Sequence, residues 1–269
     1  MADRIPGSFF LRNLIERRAL LGQLVRRDFE QRFVGSAMGW IWGLIHPLVL
    51  LASWTFVFGT LLQTKIPNVT NYPLYLFAGM LPWLLFSETV QRSSSSLLEH
   101  ANLITKTVFP AEIVQLSVFL STLVSHALAL VLLVAAAGIW LNQISVFLIL
   151  LPFYVFVIGL MAVGMGWIVA SLNLFVRDTA QVVSVILTFW FWLTPIFVDE
   201  DRYRKHAWAG YLLDANPLAY VVRGYRTMLT GAGQPNLADL AIAAAFGLAM
   251  FVLGGLFFRH VKRGFADVL

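Results

Sequence analysis

The stretch SSSSLLEHANLITKTVFPAEIVQ, residues 93–115, decides how the rest of the chain is interpreted. It is a polar segment that contains Pro110 near its end, and a long apolar run stands on each side of it. A polar interruption between two such runs predicts a connection at a membrane surface, with a membrane-spanning helix before it and another after it.

The composition of the whole chain agrees with a membrane protein. Of 269 residues, 59% are hydrophobic and only 12% are charged, whereas a soluble domain carries about 25% charged residues. No polar block is long enough to be a separate globular domain. We therefore expect one domain over 1–269, with an N-terminal region at 1–37, a membrane region at 38–258 and a tail at 259–269. The chain has no cysteine, which excludes disulfides and thiolate metal sites.

The hydropathy pattern predicts an all-α membrane protein with six transmembrane helices. We place the six spans at about 38–62, 73–91, 113–141, 145–172, 179–197 and 237–258. Gly35, Gly39 and Gly43 stand four residues apart where the first span begins. Three glycines on one helical face would let another helix approach closely, although glycine is also simply common in membrane helices.

An amphipathic pattern precedes the first span. Apolar residues recur at spacings of three and four from Leu20 to Phe33, and Arg26, Arg27 and Glu30 fall on the opposite face. This pattern predicts a helix that lies in the plane of the membrane interface. The alternative is a solvated basic arm.

Two ionisable residues of the apolar runs are candidates for a function. Glu88 stands four residues before Arg92, a spacing that favours an ion pair on one helical face, and we expect this pair to be buried; a proton relay through Glu88 is the alternative. His126 has no second ligand at a spacing of three or four, so we interpret it as a hydrogen-bonded residue at a helix contact rather than a metal ligand.

The segment at 199–235 is too charged to cross a membrane, and it predicts a helical hairpin on the outer surface. A short helix is expected around 202–213. A second helix should start at Asn216 and Pro217 and stop at Gly231. Aromatic residues suited to a membrane interface occur in the hairpin: Trp208, Tyr211, Tyr220 and Tyr225.

The distribution of basic residues predicts the orientation. With six spans and an inner N-terminus, thirteen of the nineteen Lys and Arg residues fall in cytosolic segments and six in outer ones. Both termini are therefore expected in the cytosol, and residues 93–115 face the same side. The net charge of +5 is interpreted as anchoring to anionic lipid rather than binding to nucleic acid.

Several chemistries are missing from the sequence. No glycine-rich phosphate-binding loop with lysine occurs, and neither do the common metalloprotease and serine-hydrolase motifs. A row of intramembrane charges, as expected of an ion-coupled carrier, is absent as well. Catalysis by this chain alone is therefore not expected, and energy for transport would have to come from another subunit.

The region that opens the first span carries a resemblance to a known family. Its motif residues are Arg32, Phe33, Ser36, Gly39, Trp42, Leu44 and Pro47. This set resembles the corresponding motif of permeases of type-2 ABC exporters that move polysaccharides. Four further segments are similar in the same order, namely LPW with FS at 81–87, NLITKTVFP at 102–110, LNLFVRD with LTPI at 172–196, and NPL with YR at 216–226. The chain departs from the family at Thr105, where a lysine is usual, and at Arg223, where an acid is common.

The resemblance implies a homodimer of this chain seated on two copies of a cytosolic ABC ATPase. That partner would bind ATP and Mg²⁺, so no cofactor and no metal are expected in this chain. The substrate would be a lipid-linked polysaccharide of O-antigen type, moved from the cytosolic to the outer side of the bacterial inner membrane. Capsular polysaccharide and teichoic acid are close alternatives. A small-lipid or drug exporter and a membrane-embedded glycan-processing enzyme with Glu88 as base are more distant ones.

The resemblance also implies roles for particular residues. The coupling helix that contacts the ATPase would use Asn102, Leu103, Ile104, Lys106, Phe109 and Pro110. A lipid pyrophosphate could meet Arg26, Arg27 or Arg32 at the N-terminal helix. The outer gate would be formed by Asn216, Pro217, Tyr220, Tyr225 and Arg226. Aromatic rings that could stack on sugars in the pore are Trp42, Trp54, Phe189 and Trp192, although such rings also face lipid or pack in the core.

Overall fold

The structure, a computed structural model, describes residues 17–64, 66, 69, 71–106, 110–141, 145–231 and 233–265. Within these ranges all regular secondary structure is helical, as predicted. The α-helices are α1 (Arg18–Gln31), α2 (Trp42–Trp54), α3 (Tyr72–Glu99), α4 (Ala101–Lys106), α5 (Glu112–Leu141), α6 (Leu151–Phe175), α7 (Thr179–Leu193), α8 (Glu200–Arg204), α9 (Ala207–Asp214), α10 (Pro217–Thr230) and α11 (Leu237–Val261).

Among the described residues, five helical segments are long and apolar enough to cross a membrane. They are Gly39–Leu61, Tyr72–Glu99, Glu112–Ile139, Val146–Phe175 and Leu237–Gly264. The first combines a short 3-10 helix, α2 and a π-helix at Thr55–Leu61. These segments correspond to the first, second, third, fourth and sixth spans that the sequence predicts.

The helix predicted as the fifth span is shorter than expected. α7 has 15 residues and ends at Leu193. At about 1.5 Å per residue, 15 residues extend about 22 Å, less than the hydrocarbon thickness of about 30 Å. The helix stops there because Pro195 disfavours helical geometry at the residue before it, and Thr194 has the extended angles φ −87° and ψ 131°.

α3 is the central helix of the bundle. It begins at Asn71, whose side chain accepts a hydrogen bond from the backbone N–H of Leu74 at 3.0 Å. Most of its residues are buried, whereas none of the described residues of α2 is. α3 packs on α5, α6, α7 and α10, so it is in contact with most of the other long helices.

α6 and α11 form the closest helix pair, because glycine removes the side chains between them. A Cβ atom added to Gly164 would meet the backbone of Met250, and one added to Gly254 would meet the backbone of Gly164. Without side chains, the two backbones touch directly, as small residues allow in membrane helices.

The predicted row of Gly35, Gly39 and Gly43 on one helix face is wrong. Gly35 and Gly39 have φ of +79° and +54°, left-handed angles that favour glycine. Gly35 lies in the turn after α1, and Gly39 begins the short 3-10 helix before α2. A Cβ at either position would meet nothing within 4 Å. Of the three, Gly43 alone lies inside an α-helix, and a Cβ there would lie 3.4 Å from Ser125 Oγ.

The outer hairpin differs in part from the prediction. Its first helix is split into α8 and α9 at Lys205 and His206. Its second helix has the predicted ends, because the Asn216 side chain accepts a hydrogen bond from Leu218 N–H and Gly231 ends α10 in a left-handed conformation with φ of 66°.

The glycine contact between α6 and α11 can be tested by adding one methyl group. We expect Gly254→Ala to lower the free energy of unfolding by about 1–3 kcal/mol, the usual cost of overpacking, because the methyl group meets backbone that has no side chain to move. Thermal unfolding of the purified protein in detergent measures this. Gly255→Ala is the matched control, since a Cβ there meets the Trp167 ring at an ordinary 3.5 Å. Equal stability of the two variants would contradict the prediction.

Candidate functional site

A cleft of about 570 Å³ opens between α2, α3, α5 and α7. Its wall combines aromatic rings with charged, histidine and hydroxyl side chains, among them Arg32, Trp42, His46, Trp54, Trp83, Glu88, Thr122, His126 and Phe191. Its volume lies in the range of ligand sites, which pair apolar walls with a few polar groups. An amphipathic molecule with flat apolar faces and many hydroxyl groups suits such a wall.

Two of the four aromatic residues proposed for the pore line this cleft. Trp42 and Trp54 belong to the wall, whereas Phe189 and Trp192 lie outside it and are 66% and 54% exposed. The sequence interpretation missed Phe191 of α7. The signal was its helical spacing, because the other α7 residues of the wall, Ser184, Leu187 and Thr188, share a face with it.

The aromatic rings at one end of the cleft pack on one another. The Trp54 ring centroid lies 5.1 Å from that of Phe191 and 5.0 Å from that of Phe197, and Trp83 lies 5.7 Å from Phe191. These distances are typical of favourable aromatic pairs. Phe197 belongs to the buried segment after α7, so this segment packs on Trp54 of the cleft wall.

Four charged residues at the other end form the α1–α3 ion network, defined as Asp28, Arg32, Glu88 and Arg92. Arg32 Nη1 lies 2.8 Å from Glu88 Oε1, and Arg92 Nη2 lies 2.7 Å from Asp28 Oδ1. Arg32 Nη2 also donates a hydrogen bond to Thr122 Oγ1 of α5 at 2.7 Å. The network therefore fixes α1 to two long helices.

The predicted ion pair of Glu88 with Arg92 is wrong, because each residue pairs with α1 instead. An exposed pair within one helix adds only about 0.2–0.5 kcal/mol. The α1 charges are more strongly buried, with side chains 10% exposed at Asp28 and 13% at Arg32, and a buried charge requires a partner. Glu88 and Arg92 are also less buried than expected, since their side chains are 41% and 26% exposed.

The electrostatic environment of Arg32 shows why these partners matter. Burial lowers the pKa of the Arg32 guanidinium, and the Glu88 carboxylate opposes this shift. Arginine nevertheless stays protonated in proteins, so its charge must be compensated in place. The other two arginines proposed for headgroup contact are exposed, and Arg26 pairs with Glu30 of its own helix at 2.8 Å.

The predicted coupling helix corresponds to α4, a separate helix of six residues after α3. Asn102 is exposed, and Leu103 and Ile104 are half-buried, with Ile104 packed against the apolar core. Pro110, just before α5, is buried. Phe109 and the side chain of Lys106 lie outside the described residues, so their contribution stays a prediction.

The segment predicted as an outer hairpin enters the bundle more deeply than a surface hairpin would. Most of α10 is buried. Tyr225 OH lies 3.2 Å from His126 Nε2, about midway along α5, which agrees with the interpretation of His126 as a hydrogen-bonded residue at a helix contact. Near the start of the helix, Tyr220 OH donates to the Asp214 carbonyl at 2.7 Å.

Arg226 is the most strongly buried cation of α10. Its Nη2 donates to the Ile196 carbonyl at 2.6 Å, and its guanidinium carbon lies 3.7 Å from the centroid of the Tyr75 ring. A Cβ on Gly79 would come within 2.8 Å of Arg226 Nη2, so this glycine makes room for the guanidinium. Arg226 therefore joins α10 to α3 and to the segment after α7.

Arg223, the departure from the family pattern, has two acidic partners. It pairs with Glu200 at 2.8 Å and with Asp239 at 2.6 Å. Burial acts to lower the pKa of Arg223, but hydrogen bonds and charges from Glu200 and Asp239 outweigh it, so the pKa lies above its usual value. The charge of Arg223 is thus compensated by one carboxylate of α8 and one of α11.

The part of the chain that the structure describes contains no group of three or more His, Asp or Glu side chains arranged to hold a metal ion. Membrane-length helices around a mixed aromatic and polar cleft, with a short helix between two of the spans, are the architecture of a helical membrane protein with a site for a ligand.

Comparison with known proteins gives the family. The model of the ABC-2 type transporter family matches residues 19–230, and the chain belongs to this family. It is 26% identical to an O-antigen export system permease protein RfbA of Myxococcus xanthus, over 96% of this chain and 98% of the relative. It is 29% identical to an RfbA of Klebsiella pneumoniae, over 93% and 95%. A polysialic acid transport protein KpsM of Escherichia coli is 25% identical over 87% and 88%.

The α1–α3 ion network can be tested through the mobility of α1. We expect Asp28→Asn to increase hydrogen exchange of the α1 amides, because Arg92 loses its carboxylate. Breaking a fully buried pair costs about 3–5 kcal/mol; since Arg92 is partly exposed, we expect about 1–2 kcal/mol. Exchange mass spectrometry on the protein in nanodiscs measures this.

Glu30→Gln is the control, since it removes a carboxylate from the exposed pair with Arg26 in the same helix. The double variant Asp28→Asn with Arg92→Met should recover part of the protection. Equal exchange in Asp28→Asn and Glu30→Gln would refute the anchoring role of the network.

Proposed function

We propose that the chain is the membrane permease subunit of an ATP-driven exporter that moves a lipid-linked polysaccharide from the cytosolic to the outer side of the bacterial inner membrane. The observation that carries this proposal is the nearly full-length similarity to permeases named for O-antigen export. The aromatic and polar wall of the cleft supports it, because a sugar polymer offers both apolar ring faces and hydroxyl groups.

The transport path is proposed to form between two copies of this chain. α2 is strongly apolar, yet none of its described residues is buried, and its inner side borders the cleft. A second copy placed against α2 and α7 would close the open cleft into a channel. In that arrangement, Trp42 and Trp54 would contact sugar rings, and the exposed Phe189 and Trp192 would face the partner or lipid.

Energy is proposed to enter through two copies of a cytosolic ABC ATPase that bind ATP and Mg²⁺. α4 would sit in a groove of each ATPase, with Asn102 and Lys106 at the contact. A short helix between long spans can pass on the rigid-body movement that follows closure of an ATPase dimer. This assignment requires residues 101–106 to face the cytosol.

The topology that fits this scheme has six spans in a single domain over 1–269, with α7 as the short fifth span and both termini in the cytosol. α1 would lie along the inner interface. A lipid pyrophosphate could meet the exposed Arg26 and Arg27 there, whereas Arg32 is already engaged by Glu88 and Thr122. The hairpin of α8 to α10 would form the outer gate.

Capsular polysaccharide is the second candidate substrate, because relatives named for polysialic acid transport also cover most of the chain. The reading as a glycan-processing enzyme loses support, since the carboxylate proposed as its base is held in an ion pair with Arg32 at 2.8 Å. Glu88→Gln with full export would exclude an essential carboxylate.

The proposed function predicts where polymer accumulates. In a deletion strain we expect lipid-linked polysaccharide to build up in the cytosol and surface polymer to disappear, with both restored by the wild-type gene. Immunoblots of surface and cytosolic glycan, with extraction of the lipid carrier, measure this. Normal surface polymer in the deletion strain would overturn the proposal and favour export of a drug or small lipid.

The coupling role predicts a charge effect in α4. Lys106→Glu should lower copurification of a coexpressed ATPase by about tenfold, equivalent to about 1.4 kcal/mol of binding free energy. Lys205→Glu is the control, because it makes the same change at an exposed position in the outer hairpin. If both variants retain full ATPase binding and ATP hydrolysis, Lys106 has no part in coupling.

A further inference from the structure

Glu112 is the first residue of α5 and follows directly after the coupling segment, defined as residues 101–111. Its carboxylate Oε1 accepts a hydrogen bond from Lys262 Nζ at 2.7 Å, and its backbone carbonyl accepts one from Trp167 Nε1 at 3.1 Å. Trp167 belongs to α6, and Lys262 follows immediately after α11. The residue that follows the coupling segment is therefore hydrogen-bonded to α6 and to the turn after α11, both far away in sequence.

Those two spans form a stiff pair. The backbones of Gly164 and Gly254 are in direct contact, so no side chain lies between them to absorb a displacement. The Trp167 ring packs on Phe251 at 4.9 Å and on Phe258 at 6.3 Å between centroids, which joins the same helices one turn further on. A displacement of either helix near these contacts therefore moves the other helix as well, because closely packed interiors transmit strain.

Lys262 is held in position by the residue that follows its turn. The turn is a 3-10 helix at Lys262–Gly264, and Phe265 after it is buried to 2% exposure. The Phe265 ring lies 5.3 Å from Phe258 of α11 and 6.4 Å from Phe175 at the end of α6. The ammonium group therefore extends toward Glu112 from a fixed base.

We propose that Glu112 and Lys262 are positioning residues that tie the coupling segment to the α6–α11 pair, so that movement of α4 displaces α6 and α11 together with α5. The inference rests on the proposed function, because it assumes that an ATPase moves α4. The Lys262 and Glu112 side chains are 38% and 27% exposed, and ion pairs open to water add little to stability. Removing this one should leave the protein folded while weakening transmission.

The test compares ATP consumption with export in the complex of the full chain and its coexpressed ATPase. We expect Lys262→Met to keep ATPase binding and ATP hydrolysis at the wild-type level while polymer exported per ATP falls about fivefold or more, the lower end of usual coupling between sites. Lys262→Arg should retain export because it keeps the charge. Trp167→Phe keeps an aromatic ring but loses the indole N–H, and it should show the same uncoupling in weaker form.

Arg263→Met is the matched control, since it removes an exposed positive charge from the next position. If the wild-type complex assembles and exports, unchanged export per ATP in Lys262→Met would overturn this inference but not the proposed function. Loss of ATPase binding in Lys262→Met would also overturn it, because Lys262 would then contact the ATPase directly. A wild-type chain that neither binds an ATPase nor exports polymer would refute the proposed function itself, and the inference with it.

Discussion

Charges buried in a membrane protein need partners, and this constraint determines how the ends of the bundle are built. At one end, Asp28 of α1 and Arg32 just after it meet Arg92 and Glu88 of α3. At the other end, Arg223 meets Glu200 and Asp239. Each interaction joins different helices, since the first links α1 to α3 and the second links α10 to α8 and α11. The apolar middle of the bundle is stabilised by close packing instead, above all by the backbone contact of α6 with α11.

The class of the protein and most of its helices were predictable from the sequence, because long apolar runs and amphipathic periods depend only on local spacing. Helix ends at Asn216 and Gly231 were predictable for the same reason, since capping is local chemistry. The prediction of a glycine row was wrong because a four-residue spacing places residues on one face only where the segment is an α-helix. Gly35 and Gly39 instead have left-handed backbone angles and precede α2. α7 was predicted too long because its apolar run continues through Pro195 after the helix has stopped.

The site was less predictable than the fold, because the local sequence around a residue does not indicate which residue of another helix it contacts. Glu88 and Arg92 have an ideal spacing for each other, and only the position of α1 shows that both are engaged elsewhere. One signal was available: Asp28 and Arg32 have the same four-residue spacing. When α1 and α3 run in opposite directions, the charges of the two pairs are complementary, so that Asp28 meets Arg92 and Arg32 meets Glu88. Phe191 was likewise visible only through the helical period of α7.

The α1–α3 ion network has two carboxylates and two guanidinium groups, so its formal charge sums to zero. Opposite charges that alternate over a few ångströms produce a potential that falls off much faster than that of a single ion. A molecule in the cleft, whose wall includes Arg32 and Glu88 of the network, would therefore interact with these groups only at contact and would not be attracted or repelled from a distance. Under the proposed function, such a neutral network would favour sliding of a polymer over trapping of any one repeating unit.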